Sequence, residues 1–303
     1  MTRVTNYAQF QTSMFYLRET QQRIDLAQLQ IASGMKSRDY IAMARDSNRL
    51  VTMETTHARV TQFTDNNKLV DQRMQTMETN VAQIFDIATN FRTLLVNALN
   101  NENALDLAMP QNAQSYLDQV ATLLNVQYEG RYLFSGSRTD TPPVDLTALP
   151  VGYAIPTVDG ASGAYYQGDQ FLFSVRADLN FDVVYGETAD NPAFEKLIRA
   201  LDIVKKSPPS DRAALEHALA VANQALDEIP DVRTRIGTAQ QTLEQINKRH
   251  DEFLLYTEQS VSDIQNVDVA QTMTKLNADS VSLQASYMSI NTLSNLNLME
   301  FLR

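Results

Sequence analysis

Residues 53–98 read METTHARVTQFTDNNKLVDQRMQTMETNVAQIFDIATNFRTLLVNA, and their spacing decides the architecture. Met53, Val60, Asn67, Met74, Val81, Ala88 and Leu95 recur every seven residues. A second register, Thr56, Phe63, Val70, Met77, Ile84, Phe91 and Ala98, follows each of them by three. Alternating steps of three and four are the spacing of a helix seam, so the stretch predicts one helix about 70 Å long at 1.5 Å per residue. Polar Asn67 inside the seam is expected to fix register at some cost in stability; the plainer alternative is an exposed Asn at a frayed point.

The second half repeats the pattern. Val232, Ile236, Ala239, Leu243, Ile246, His250, Phe253, Thr257, Ser260, Ile264 and Val267 keep the same alternation, so the two seams are expected to pack antiparallel. A shorter helix near 110–128 would join them, with Pro110 in its first turn and Gly130 as its C-terminal cap. The run ALNNENALDLAMP, 98–110, reads as a turn.

Each end of the chain carries a narrower stripe. Phe10, Leu17, Ile24 and Ile31 recur at the front, and Val269, Leu276, Leu283 and Ile290 at the back, flanked by Gln, Thr, Ser and Asn. A helix with so thin a stripe buries little area at about 25 cal/mol per Å² and is marginal alone. Pairing the two ends relieves this. In the last stretch Leu293, Leu296, Leu298 and Met299 spread around the helix, which calls for a surrounding partner, either another chain or a chaperone; the plainer alternative is a C-terminal helix docked in its own domain's core.

Between 131 and 190 the grammar changes to strands. RYLFSG, YAIPTV, AYYQ, QFLFSVR and NFDVVYG are aromatic or β-branched runs separated by Pro, Gly, Asp and Ser. AFEKLIRALDIVKK, from Ala193, returns to helix and stops before Ser207, Pro208 and Pro209. A further helix begins near Asp211, and Pro230 is expected to kink or end it. The fold class is therefore mainly α, a long antiparallel helical bundle formed by both termini with a small β-rich domain inserted in the middle. The expected division is 1–46 with 262–303 as assembly helices, 47–128 with 208–261 as a helical rod, and 129–207 as an outward insertion.

Composition narrows the function. The 303 residues hold 25 Lys plus Arg against 36 Asp plus Glu, net −11, which disfavours nucleic acid as a partner. Cys is absent, excluding thiol chemistry and disulfides. No 18-residue apolar run suggests a membrane span, and no apolar stretch near the front suggests a cleaved signal. No phosphate loop, nucleophile elbow or His-Glu-x-x-His occurs, and His57, His217 and His250 lie far apart. Asp251 with Glu252, and Asp178 with Asp182, read as solvated faces and turns, and Met74 and Met77 as core. No catalytic, metal or cofactor site is expected.

The residues also resemble a family. LQIASGMKSRDYIAMARDSNRL, 29–50, is similar to the front signature of the flagellins and hook-associated proteins, with Ser33, Gly34, Lys36 and Asp46 in its positions. DVAQTMTKLNADSVSLQASYMSINTLSNLNLMEFLR, 268–303, looks like the family's C-terminal helix, most clearly at Leu283, Gln284, Ala285 and Ser286. Arg45, Asp46, Ser47 and Asn48 stand where the family usually has two adjacent Asp and often a Pro. YEGRYLFSGSRTDTPPV, 128–144, and YYQGD, 165–169, are similar to the hook-associated pattern rather than to flagellin itself. The resemblance implies a structural protein of the bacterial flagellum, exported unfolded without a cleaved signal and held beforehand by a cytoplasmic chaperone. It implies a ring of identical subunits joined through the terminal helices, touching a sister hook-associated protein on one side and flagellin on the other. The alternatives are flagellin, or a non-flagellar coiled-coil scaffold or type III secreted protein.

Overall fold

The computed structural model describes residues 2–37, 46–100, 108–149, 163–208 and 210–301, with side chains of the outermost residues described for Ala8 and from Phe10 to Thr292. Its helices are α1 (Thr2–Ser33), α2 (Ser47–Asn100), α3 (Met109–Leu124), α4 (Pro192–Lys206), α5 (Arg212–Gln265) and α6 (Val269–Phe301). Among the described residues four short strands, β1 (Gln127–Tyr128), β2 (Arg131–Tyr132), β3 (Ser174–Asp178) and β4 (Phe181–Val184), form two antiparallel hairpins. The chain divides into a central unit, 60–252, and an end unit, 1–59 with 253–303.

In the central unit α2 and α5 run antiparallel, since partners on α5 fall in number as those on α2 climb. Asn67 bonds Asn247 at 2.9 Å, Glu78 accepts from Arg233 at 2.6 Å, and Asn223 accepts from Arg92 at 2.9 Å. The middle of the expected seam is buried: Val70, Met74, Met77, Val81, Ile84, Ala88, Phe91, Leu95 and Ala98 meet Val232, Ile236, Ala239, Leu243 and Ile246, whereas Phe253 is exposed and Met53, Phe63, Ile264 and Val267 are half-buried. Arg212 closes the far end by donating to the Leu99 carbonyl at 2.9 Å, one of the last carbonyls of α2.

Asn67 is fully buried, and its amide donates both to Asn247 and, at 3.1 Å, to the Ala177 carbonyl. Ala177 lies where the register of β3 against β4 shifts. The extra residue of that bulge turns its carbonyl to the helix pair, so one seam amide joins α2, α5 and the hairpin. His250 sits beside it, 3.5 Å from Thr64 and stacked on Phe63.

Local chemistry explains most boundaries. Pro110 stands in the first turn of α3, where a missing N–H costs nothing. Asn191 caps α4 by accepting from the Ala193 N–H at 3.0 Å, and Asp211 accepts from Ala214 at 3.1 Å ahead of α5. Three expectations are corrected. Gly130 is not the cap of α3, which ends at Asn125; with Glu129 it holds positive φ (76° and 53°) in the tight turn of the β1–β2 hairpin. Of the two outcomes expected at Pro230, a kink or an end, the end does not occur: α5 runs on to Gln265 with the Leu226 carbonyl deprived of its amide. Tyr165 belongs to a 3-10 turn at Gly163–Tyr165 rather than a strand, and only Arg131 and Tyr132 of RYLFSG pair. YAIPTV and most of the 98–110 turn lie outside the described residues.

The two central motifs interlock. The Asp169 carboxylate accepts from the Ser137 N–H at 2.8 Å, the Ser137 hydroxyl and the Phe171 N–H at 3.0 Å. Gly136 and Gly168 are required by contact, because a Cβ at the first would overlap Asp169 and at the second Ser135 and Tyr166. Beneath them Phe134 packs edge-on to Phe194 of α4 at 6.1 Å, and the buried Tyr165 hydroxyl donates to Ala189 at 2.8 Å.

Candidate functional site

The sequence points to the terminal helices, and in the end unit α1 and α6 pack together. They run antiparallel: Arg23 makes an ion pair with Asp279 at 3.0 Å, and Gln21 reaches Tyr287 at 3.5 Å. Leu17 and Ile24 are buried in the contact, and Ile31, Leu276, Leu283 and Ile290 are half-buried. Phe10 remains 40 % exposed and Val269 46 %, so the structure does not bring these two into the intramolecular seam. The side chains of Leu293, Leu296, Leu298 and Met299 lie outside the described residues.

Sequence reasoning missed the second register of this seam. Three residues after each apolar position of α1 come Ser13, Thr20 and Ala27, and after those of α6 come Thr272, Asp279 and Ser286; all six are buried or half-buried. These side chains are small or polar, so a hydrophobic pattern passes over them. The signal that could have found them is the repeat of small residues at seven, which lets two helices approach closely. Thr20 bonds its own helix at the Tyr16 carbonyl (2.8 Å) and accepts from Arg23 at 3.2 Å, so the ion pair is fastened across this register.

The outward faces are apolar. Phe15, Leu26 and Leu29 lie on the side of α1 away from the seam, and Met273, Val281, Tyr287 and Met288 on the flank of α6, all exposed. The helices of the end unit are also rich in hydroxyls turned onto their own backbone. Thr12, Thr52, Thr55, Thr56, Thr274, Ser280, Ser286 and Thr292 each donate to the carbonyl four residues earlier, at 2.7–2.9 Å.

Catalytic groupings do not assemble among the described residues. His217 and His250 are separated along α5 by about 50 Å, while His57 approaches Glu258 at 3.4 Å. His250 Nε2 is 3.7 Å from Asp178, beyond hydrogen-bond length. Asp182 pairs with Arg176 at 3.3 Å, Asp251 and Glu252 are exposed, and Met74 and Met77 are core. No cluster of three His, Cys, Asp or Glu that could hold a metal ion occurs among the described residues.

Helical ends paired antiparallel around an inserted β region agree with what the sequence resembles. Residues 4–139 match the bacterial flagellin N-terminal helical region, and residues 219–302 match the bacterial flagellin C-terminal helical region. The chain belongs to the flagellin family. Within that family it is similar to flagellar hook-associated protein 3 of Escherichia coli (strain K12), 23 % identical over 270 residues, 84 % of this chain and 85 % of the relative. Its fold is that of FlgL from Bacillus cereus, with TM-score 0.56 and 18 % identity over 71 % of this chain and 99 % of that structure. Hook-associated protein 3 of Legionella pneumophila aligns with TM-score 0.57 and 14 % identity, covering 70 % and 98 %. The two matched regions are the flanks; the interlocked Gly136–Asp169 centre lies mostly between them.

Proposed function

We propose that this flagellin-family chain is the structural junction of hook and filament, assembling as a ring of identical subunits through α1 and α6. The observation that carries the reading is the end unit itself: a thin buried seam inside, and large apolar side chains such as Phe15 and Met288 left outside. Burying them against neighbouring copies supplies the area that the pair lacks alone. Ordering of the ends is then coupled to assembly. Similarity to hook-associated protein 3 supports placing the ring between a sister hook-associated protein and flagellin. Export proceeds without a cleaved signal, with a cytoplasmic chaperone covering the C-terminal apolar residues from Leu293 onward. The chain works by assembly and not by catalysis.

Deleting the gene and examining cells by electron microscopy tests this. Hooks without filaments, with flagellin released unpolymerised, are expected, and a chain truncated before Leu293 should not complement. Normal filaments would overturn the junction role. The second reading, a filament subunit, is favoured by the match of both flanks to flagellin; it predicts that this chain is the bulk protein of sheared filaments, whereas a junction protein is a trace.

A further inference from the structure

Where α1 ends and α6 begins, two breaks in the helices are stitched to each other. Gly34, at φ 71°, closes α1 by donating its N–H to the Gln30 carbonyl at 2.8 Å, and its own carbonyl accepts from the Val267 N–H at 2.9 Å. That amide would otherwise continue α5 by bonding Asp263, four residues back. The orphaned Asp263 carbonyl is instead met by the Lys36 ammonium at 2.6 Å, a cation at the negative end of the helix dipole. The Lys36 N–H takes the Gln265 carbonyl at 2.8 Å, and Gln30 returns to the Lys36 carbonyl at 2.8 Å. Gln265 also reaches across to Glu54 of α2 at 3.0 Å, while Asp268 accepts from Gln271 at 3.0 Å to begin α6.

The exchange is reciprocal. The front segment removes one donor from the C-terminus of α5 and returns another, the Lys36 ammonium, to a carbonyl 227 residues away in sequence. Ending α5 at this residue, and freeing the chain to restart as α6, therefore requires residues 34–36 to be in place. Those residues in turn depend on Gln265 and Val267 for their backbone partners. We propose that this clasp couples the two chain ends, so that α1 and α6 order together or not at all. A subunit with one end docked and the other loose is then sparsely populated. Gly34 and Lys36 act as positioning residues: a side chain at Gly34 meets open space, so a substitution acts through the left-handed backbone alone.

The inference concerns the folded end unit and stands apart from the flagellar role, since its test reads the isolated chain. Met35 and Asn266 face each other as an antiparallel bridge, flanked by the two backbone bonds, which is the narrow pairing with Cα atoms about 4.5 Å apart. That separation suits a disulfide. In a chain without Cys, Met35→Cys with Asn266→Cys supplies the only two thiols. Hydrogen exchange is followed in enough urea to open both end helices of the reduced form while 60–252 stays protected. Oxidation should slow exchange in 10–33 and in 269–292 together, by about tenfold or more, and reductant should reverse both. Adding Lys36→Met or Gly34→Val to the same pair should slow disulfide formation severalfold with the central unit unchanged. A disulfide that fails to form, protection gained in one helix only, or a formation rate indifferent to both substitutions would overturn the coupling.

Discussion

The central unit and the end unit are built from the same helical grammar but bury it to different depths. The contiguous apolar core, from Val70 to Ile246, lies wholly within 60–252. At the ends, the buried apolar residues among those described are Leu17, Ile24, Ala27 and Leu50, while Phe15, Leu255, Val281 and Met288 are each about two-thirds exposed or more. Burying one large apolar side chain is worth about 1.5–3 kcal/mol. The middle therefore holds itself together, whereas the ends leave much of their apolar area exposed. Charge does not make this difference; depth of packing does.

The sharpest way to break the contrast is to cut the middle. Phe91 is fully buried and packs edge-on to Tyr116 at 6.3 Å, so Phe91→Ala should destabilise the central unit by about 3–5 kcal/mol, read as a lower urea midpoint by circular dichroism. Leu17→Ala, the corresponding cut at the ends, should leave that midpoint in place and raise exchange in both α1 and α6. An equal fall in midpoint from the two substitutions would erase the distinction.

Asn67→Ala tests how the hairpin is held. It leaves the Ala177 carbonyl and Asn247 without their donor, which should cost about 1–3 kcal/mol and speed exchange in β3 and β4. Unchanged hairpin exchange would mean that the bulge is held by the strands alone.

A smaller effect follows pH. Burial pushes the Glu195 carboxyl above its ordinary 4.5, against the opposing pull of Arg199 and Lys196. The folded state thus binds this proton more tightly than the unfolded state. Its stabilising share is complete below about 4.5 and is lost as pH rises through the folded value. Glu195→Gln lacks this titration, so the wild-type midpoint should fall relative to the variant as pH rises above about 4.5. A constant difference would show that the ion pair with Arg199 offsets the burial. Smallest of all, Arg23→Ala should raise end-helix exchange only slightly, and not at all in high salt, because its pair with Asp279 is largely solvated. A large effect there would mean that the ends are fastened by charge.

The long seams were legible because most positions of both registers are apolar, Asn67, His250 and Thr257 being exceptions, and because 53–98 and 232–267 are long enough for period to outweigh composition. The terminal seam was legible by half. Its apolar register stands out at Leu17 and Ile24, but Ser13, Thr20, Thr272 and Ser286 carry no hydrophobic signal, and their burial depends on the partner helix. The strand region was read too generously. Aromatic side chains at Phe134 and Tyr165 serve packing beneath a loop knitted by Asp169, and strand propensity does not distinguish that use from a ladder. Gly130 was misplaced because a helix cap and a tight hairpin turn ask the same positive φ of glycine. Gly34 and Lys36 were found through resemblance, and their roles emerge only when residues 265–267 stand opposite.

The inward-turned hydroxyls of the end unit bear on how its surface can be covered. A hydroxyl on a protein face normally asks any incoming neighbour either to replace its water or to leave it unpaired. Thr12, Thr55 and Thr274 have already met that demand within their own helices. Such a face is polar by composition yet dry by habit: it stays wettable while the chain is alone, and it can be buried at several rotations or offsets without any one hydrogen bond being missed.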